Sequence, residues 1–156
     1  MSGILRQTLA FLLPIIVSLQ RHERGGPRAV LLCPTRELAL QTTRVLRLVL
    51  DGRNKMLRSV VLSKDNIGST DFDEVDILLS NPLRLKGLLA EKKVDLGKVR
   101  FLVLDEADKL FEMGFVDQID AVVEACNHPQ VQRCLFSATL PEVSPVVEGF
   151  VLCLTV

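Results

Sequence analysis

Short, unbroken apolar runs alternate with longer amphipathic stretches along this chain, and that alternation restricts its fold more than any other feature. Four runs stand out, at residues 29–33, 60–62, 76–79 and 101–104, and a fifth at 134–136 keeps the same rhythm. A strand covered on both faces has no solvent side, so it reads as a continuous apolar run rather than an alternating one. Residues 7–19, 37–50, 83–89 and 115–126 space their apolar side chains near 3.6 and are predicted to be helices. Strand, helix, strand in this order predicts βαβ units around a mainly parallel sheet with helices on both faces. Polar glycine-bearing stretches at 21–27 (RHERGGP) and 63–73 (SKDNIGSTDFD) are predicted loops.

At 156 residues the chain fits one domain of ordinary size. A hydrophobic fraction of 48% with 24% charged residues excludes a disordered chain. Nineteen Lys and Arg balance nineteen Asp and Glu, 19 against 19, so any contact with nucleic acid must be made by a local patch. Cys33, Cys126, Cys134 and Cys153 lack CxxC spacing and paired histidines, which argues against zinc and against a disulfide framework and for buried thiols in a reducing compartment. The apolar opening at residues 9–19 lacks a small-residue cleavage pattern and is too short to span a bilayer, so no membrane partner is expected.

In an open parallel sheet, ligands gather beyond the carboxyl ends of the strands, and each apolar run here ends in a polar cluster. After residues 101–104 come Asp105-Glu106-Ala107-Asp108. One such carboxylate suits Mg²⁺ and the next suits a water attacking a phosphate; equally, acids here can simply cap the following helix. Pro34-Thr35-Arg36-Glu37-Leu38 follows residues 29–33, with Thr35 able to cap a helix whose free amides and Arg36 suit a phosphate. Ser80-Asn81-Pro82-Leu83-Arg84 repeats the scheme, with proline at a helix start and a basic residue one turn in. Ser137-Ala138-Thr139 follows residues 134–136.

The ordered set PTREL, NPxR, DEAD and SAT resembles the first core domain of the DEAD-box RNA helicases, over residues 8–141. The phrases DEADKLFEMGF (105–115) and CLFSATL (134–140) are especially specific, and the local sequence is most similar to the Rok1-type branch of ribosome assembly. The resemblance implies a RecA-like, P-loop NTPase α/β fold of three layers around a mainly parallel sheet. It implies that residues 1–156 form most of one RecA-like domain, truncated at its first strand and phosphate loop, without the second core domain. By the same resemblance ATP and Mg²⁺ are the cofactors, with Asp105 serving the metal and Glu106 acting as general base. Asp108 would meet the hydroxyls of Ser137 and Thr139, and Thr8 would belong to the nucleotide site. Pro34, Thr35, Arg36, Glu37, Asn81, Pro82 and Arg84 would line an RNA backbone without sequence preference. A monomer in the nucleus or nucleolus, working with ribosome-assembly proteins on ribosomal RNA, is the implied setting.

One departure matters. Where the family carries GxGKT, this chain has Ile4-Leu5-Arg6-Gln7-Thr8, so glycines that let backbone approach phosphates are replaced and a lysine becomes Gln7. Losing one charge-assisted contact costs roughly 1.5–3 kcal/mol, and the loop geometry goes with it. Two readings follow: part of an ATP-dependent RNA helicase, or a non-catalytic module that keeps the RNA surface without turning over nucleotide. The tail VLCLTV (151–156) is expected to be an interrupted strand or the product of an altered reading frame.

Overall fold

The computed structural model describes residues 3–53, 57–139 and 147–154. In chain order its elements are α1 (Gly3–Leu19), β1 (Ala29–Leu32), α2 (Arg36–Arg53), β2 (Ser59–Val61), β3 (Ile77–Ser80) and α3 (Pro82–Ala90), then β4 (Phe101–Leu104), α4 (Ala107–Glu112), α5 (Val116–Ala125), β5 (Gln132–Ser137) and β6 (Val151–Leu154). The strands form one sheet in the order β2-β3-β1-β4-β5-β6, and every neighbouring pair is parallel.

Side chains on successive strand residues point to opposite faces, and the sheet uses this to build two cores. Val30, Leu32, Leu78, Leu102 and Leu104 face one way, against Leu85 and Leu88 of α3, Leu110 of α4 and Ile119 and Val122 of α5. Ala29, Leu31, Ile77, Leu79 and Val103 face the other way, against α1 and α2. On α1 the stripe Phe11, Leu12, Ile15, Ile16 and Leu19 recurs at helical spacing, and Phe11 meets Phe136 of β5 edge-on at 5.1 Å between ring centroids. Three layers are the result, as the unbroken apolar runs require.

The strands fall within a residue or two of the predicted runs. Two elements differ more. Helix α1 begins at Gly3 rather than at residue 7, because Ile4-Leu5-Arg6-Gln7 contains no glycine or proline to interrupt a helix. The tail forms β6, parallel to β5 at the sheet edge, with Val151, Leu152 and Leu154 exposed and Cys153 packed toward the α1 side. Leu140 and Pro141, at the end of the SAT phrase, lie outside the described residues.

Asp76 explains why β3 begins at Ile77. Its carboxylate is wholly buried at the amino-terminal edge of the sheet and accepts from the Arg28 guanidinium at 2.7 Å. The backbone amides of Glu23 and Arg58 also donate to it, at 3.1 and 2.8 Å, and His22 Nδ1 lies 2.8 Å away. One side chain therefore ties together the segments that lead into β1, β2 and β3. Burial pushes the Asp76 carboxyl up, but the Arg58 amide, Arg28, His22 and the Glu23 amide outweigh it and hold it below its ordinary value. The contribution is thus present above the ordinary pKa of 3.8 and is lost as pH falls through the lowered folded value. Asp76→Ala is expected to cost about 3–5 kcal/mol in urea unfolding at pH 7, because the buried Arg28 guanidinium and the Glu23 and Arg58 amides all lose their shared carboxylate. A cost below about 1 kcal/mol would show that the cluster does not hold the strands.

Candidate functional site

All strands run the same way, so the predicted clusters emerge along one edge. Leu32 of β1 is in register with Ser80 of β3 and with Leu104 of β4, and Leu104 in turn with Leu135 of β5. The ladders continue past the strand ends: the Cys33 amide donates to the Ser80 carbonyl at 3.0 Å and the Asp105 amide to the Leu32 carbonyl at 2.9 Å. Pro34 and Thr35, Ser80 and Asn81, Asp105 and Glu106, and Ser137 are thereby brought to neighbouring positions.

The two predicted RNA-facing turns are built as capped helix starts. Asn81 adopts extended backbone and its side-chain oxygen accepts from the Arg84 amide at 2.8 Å, with Pro82 at the first position of α3. Arg84 donates one guanidinium nitrogen to the Leu62 carbonyl at 3.0 Å, which fixes that side chain beside the end of β2. Thr35 Oγ1 accepts from the Leu38 amide at 3.4 Å at the start of α2. Pro34 is buried, Thr35 half-buried, and Arg36 and Glu37 are exposed. Arg36 is thus left exposed at the edge, while Arg84 is half-buried and anchored on the Leu62 carbonyl.

Asp105 and Glu106 sit where β4 gives way to α4. Glu106 has φ 50 and ψ 53, a left-handed conformation that costs a β-carbon-bearing residue about 1–3 kcal/mol. Its carboxylate lies 2.6 Å from Lys109 Nζ, one turn on, and the lysine's pKa is raised by that hydrogen bond and charge. Asp105 is largely buried. Burial, then the neighbouring Glu106 charge, pushes its carboxyl up to about 6, against the partial relief of the Glu106 amide, Gln7 and Lys109.

Gln7 is the contact that sequence reasoning did not foresee. Its amide nitrogen donates to Asp105 Oδ1 at 2.8 Å across 98 residues of chain. The only signal was that glutamine stands where the family has lysine. Leu5, Gln7 and Thr8 of α1, with Gln41, Thr42 and Arg44 of α2 and the two acids, enclose a cavity of about 370 Å³. Gln7 and Thr8 lie past the first turn of α1, where helix amides are already committed to carbonyls four residues back. Among the described residues no lysine lines the cavity; Arg44 is its cation, set against the two carboxylates of Asp105 and Glu106, a poor match for the charge of a triphosphate. The oxygens of Asp105 and Glu106 by themselves suit a hard divalent cation.

The switch residues meet only in part. Thr139 Oγ1 lies 3.5 Å from Asp108 Oδ2, at the outer limit of a hydrogen bond, whereas Ser137 Oγ is buried without a hydrogen-bond partner among the described residues. Ser137 belongs to the β5 ladder, which holds it under the edge rather than against Asp108.

A carboxyl raised in the folded protein lowers stability as pH rises from its unfolded value of 3.8 to about 6. Asp105→Asn, which keeps an acceptor for Gln7, is therefore expected to stabilise the fold by about 1–3 kcal/mol at pH 7 and by nothing measurable at pH 3.5. Thermal unfolding at the two pH values reads the difference, and equal effects at both would contradict the buried charge.

Comparison with known proteins agrees with this geometry. Residues 7–146 match the family model described as DEAD/DEAH box helicase. The chain is 49% identical over 138 residues to DEAD-box ATP-dependent RNA helicase 57 of Oryza sativa subsp. japonica, covering 87% of this chain and 25% of that protein. It is 41% identical over 145 residues to ATP-dependent RNA helicase ROK1 of Scheffersomyces stipitis, covering 86% and 26%. The chain thus spans about a quarter of the length of the curated relatives it matches. Among solved structures it resembles a DEAD box protein from Methanococcus jannaschii, with a TM-score of 0.78 and 26% identity over 96% of this chain and 42% of that one. It also resembles the yeast DEAD-box splicing factor Prp28, with a TM-score of 0.73 and 31% identity over 91% and 35%. Sheet topology, RecA-like fold and ordered motifs lead to one conclusion: the chain belongs to the DEAD/DEAH box helicase family.

Proposed function

We propose that this chain holds single-stranded RNA by its backbone, without turning over nucleotide, as the RNA-gripping part of a DEAD-box protein that serves ribosomal RNA processing. The observation that carries the first half is the shared edge: the capped starts of α2 and α3, at the ends of the neighbouring strands β1 and β3, carry an exposed Arg36 and an Arg84 anchored on the Leu62 carbonyl. Cations and helix starts recognise phosphates rather than bases, so affinity without sequence preference follows. Overall neutrality is no obstacle, because the cations are local.

The second half rests on α1. A helical turn replaces the amide cradle, and the Gln7 amide bonds the carboxylate that would serve Mg²⁺. ATP hydrolysis and unwinding, the activities in the names of the longer relatives, need a phosphate site that this arrangement does not offer. The link to ribosomal RNA rests on similarity to the ROK1 helicases alone.

Gel-shift titration with single-stranded RNA at two salt concentrations tests the RNA reading. Binding is expected to weaken as salt rises, with a slope of about 0.7 per phosphate contacted, and to ignore base sequence. No binding at low salt would sink it. A magnesium-dependent ATPase rate abolished by Glu106→Gln would separately overturn the claim of no turnover.

A further inference from the structure

On α2 the residues Arg36, Leu40, Thr43 and Arg47 recur at steps of four, three and four, so they form one stripe along the helix. This stripe does not enter the core beneath the sheet. It faces the edge strand β2 and the loop after it, and together they enclose a groove of about 300 Å³. Val61, on the α2 face of β2, lines it with Leu40, Val60 contributes from the edge strand, and Ser63 and Asn66 close its upper end. The Asn66 side chain is fully engaged, accepting from the Ser63 amide and donating to the Val61 carbonyl, both at 2.8 Å, so the loop wall is fixed.

Charge gives the groove its meaning. Both arginines are exposed, and neither makes an ion pair among the described residues. Among the described residues no carboxylate lines the groove. In a chain with as many acids as bases, a concave site with two unpaired guanidinium groups and only hydroxyl and amide polar neighbours is a site for anions. Eleven residues separate Arg36 from Arg47, about 16 Å along a helix axis, so one small anion cannot engage both. A polymer with regularly repeated charges can.

We infer that the RNA path does not end at the strand tips: it turns past Arg36 and runs down the groove between α2 and β2, where Arg47 grips a further backbone phosphate. This rests on the RNA reading of the carboxyl edge, with which the groove shares Arg36. Other anionic occupants are less suited, since only a strand already held at that edge would be delivered to the groove's upper end.

The test uses the whole chain with two single-stranded RNAs, one just long enough to cross the edge and one longer. Arg47→Glu is expected to weaken the longer strand about tenfold, the loss of one charge-assisted contact, and to lower the salt slope by about 0.7 to 1. The short strand should bind Arg47→Glu as it binds the unmodified chain, and Arg47→Lys should recover most of the loss. Circular dichroism of each variant checks that the exposed substitution leaves α2 folded. Equal binding of the longer strand by Arg47→Glu, alongside weakened binding by Arg84→Ala, would overturn the groove and leave the edge reading standing. Failure of the unmodified chain to bind either strand at low salt would instead remove the edge reading, and the groove with it. A glutamate-rich peptide that loses affinity for Arg47→Glu while RNA does not would assign the groove to an acidic protein segment and overturn the proposal.

Discussion

The parallel direction of every strand, held in register at the buried end of the sheet, is the constraint from which the rest of this molecule follows. Parallel strands have equivalent ends, so whatever follows each strand lands on the same edge. Asp76 secures that arrangement from the opposite side, since its carboxylate joins the segments leading into β1, β2 and β3 in one buried cluster. A slip of one residue in any of these strands would turn its apolar side chains out of one core and into the other. The Asp76 cluster and the polar edge are therefore two ends of one device: the first sets the register, and the second uses it.

Along the polar edge the structure divides into two halves of different character. Around Thr35, Asn81 and Arg84, caps fix the helix starts, Arg36 is exposed and Arg84 is anchored on the Leu62 carbonyl. Around Asp105 and Glu106, negative charge is gathered in a half-closed cavity, and the Asp105 carboxyl is pushed up by burial and by its neighbour. What would normally reverse the charge there, a lysine and a ring of amides, is replaced by a continuous helix whose Gln7 side chain bonds Asp105. The same edge thus gathers capped helix starts on one side and two carboxylates on the other.

The strands and their order in depth were legible because burial on both faces leaves an unmistakable mark: runs such as Val30-Leu31-Leu32 and Leu102-Val103-Leu104 have no polar interruption. The capping role of Asn81 before Pro82 was legible for a local reason, as cap chemistry depends only on the next three residues. Long-range pairings were not. Nothing near Asp76 in sequence announces Arg28, and nothing near Gln7 announces Asp105, because those contacts exist only once the sheet brings distant segments together. The early start of α1 was missed because family resemblance led the reading toward a loop where local propensity favours helix. The groove against β2 was invisible for a similar reason: Arg47 looks like any solvated helix arginine until the edge strand is placed beside it.

The claim that a single edge carries the RNA is open to one direct measurement. Backbone amide signals of the isotope-labelled chain, followed by NMR during titration with single-stranded RNA, report where the strand lies. With a strand just long enough to cross the edge, the account requires shifts gathered at Thr35, Arg36, Asn81 and Arg84, with the amides around Arg28 and Asp76 unmoved. Shifts gathered at that opposite end, or scattered over both, would contradict it.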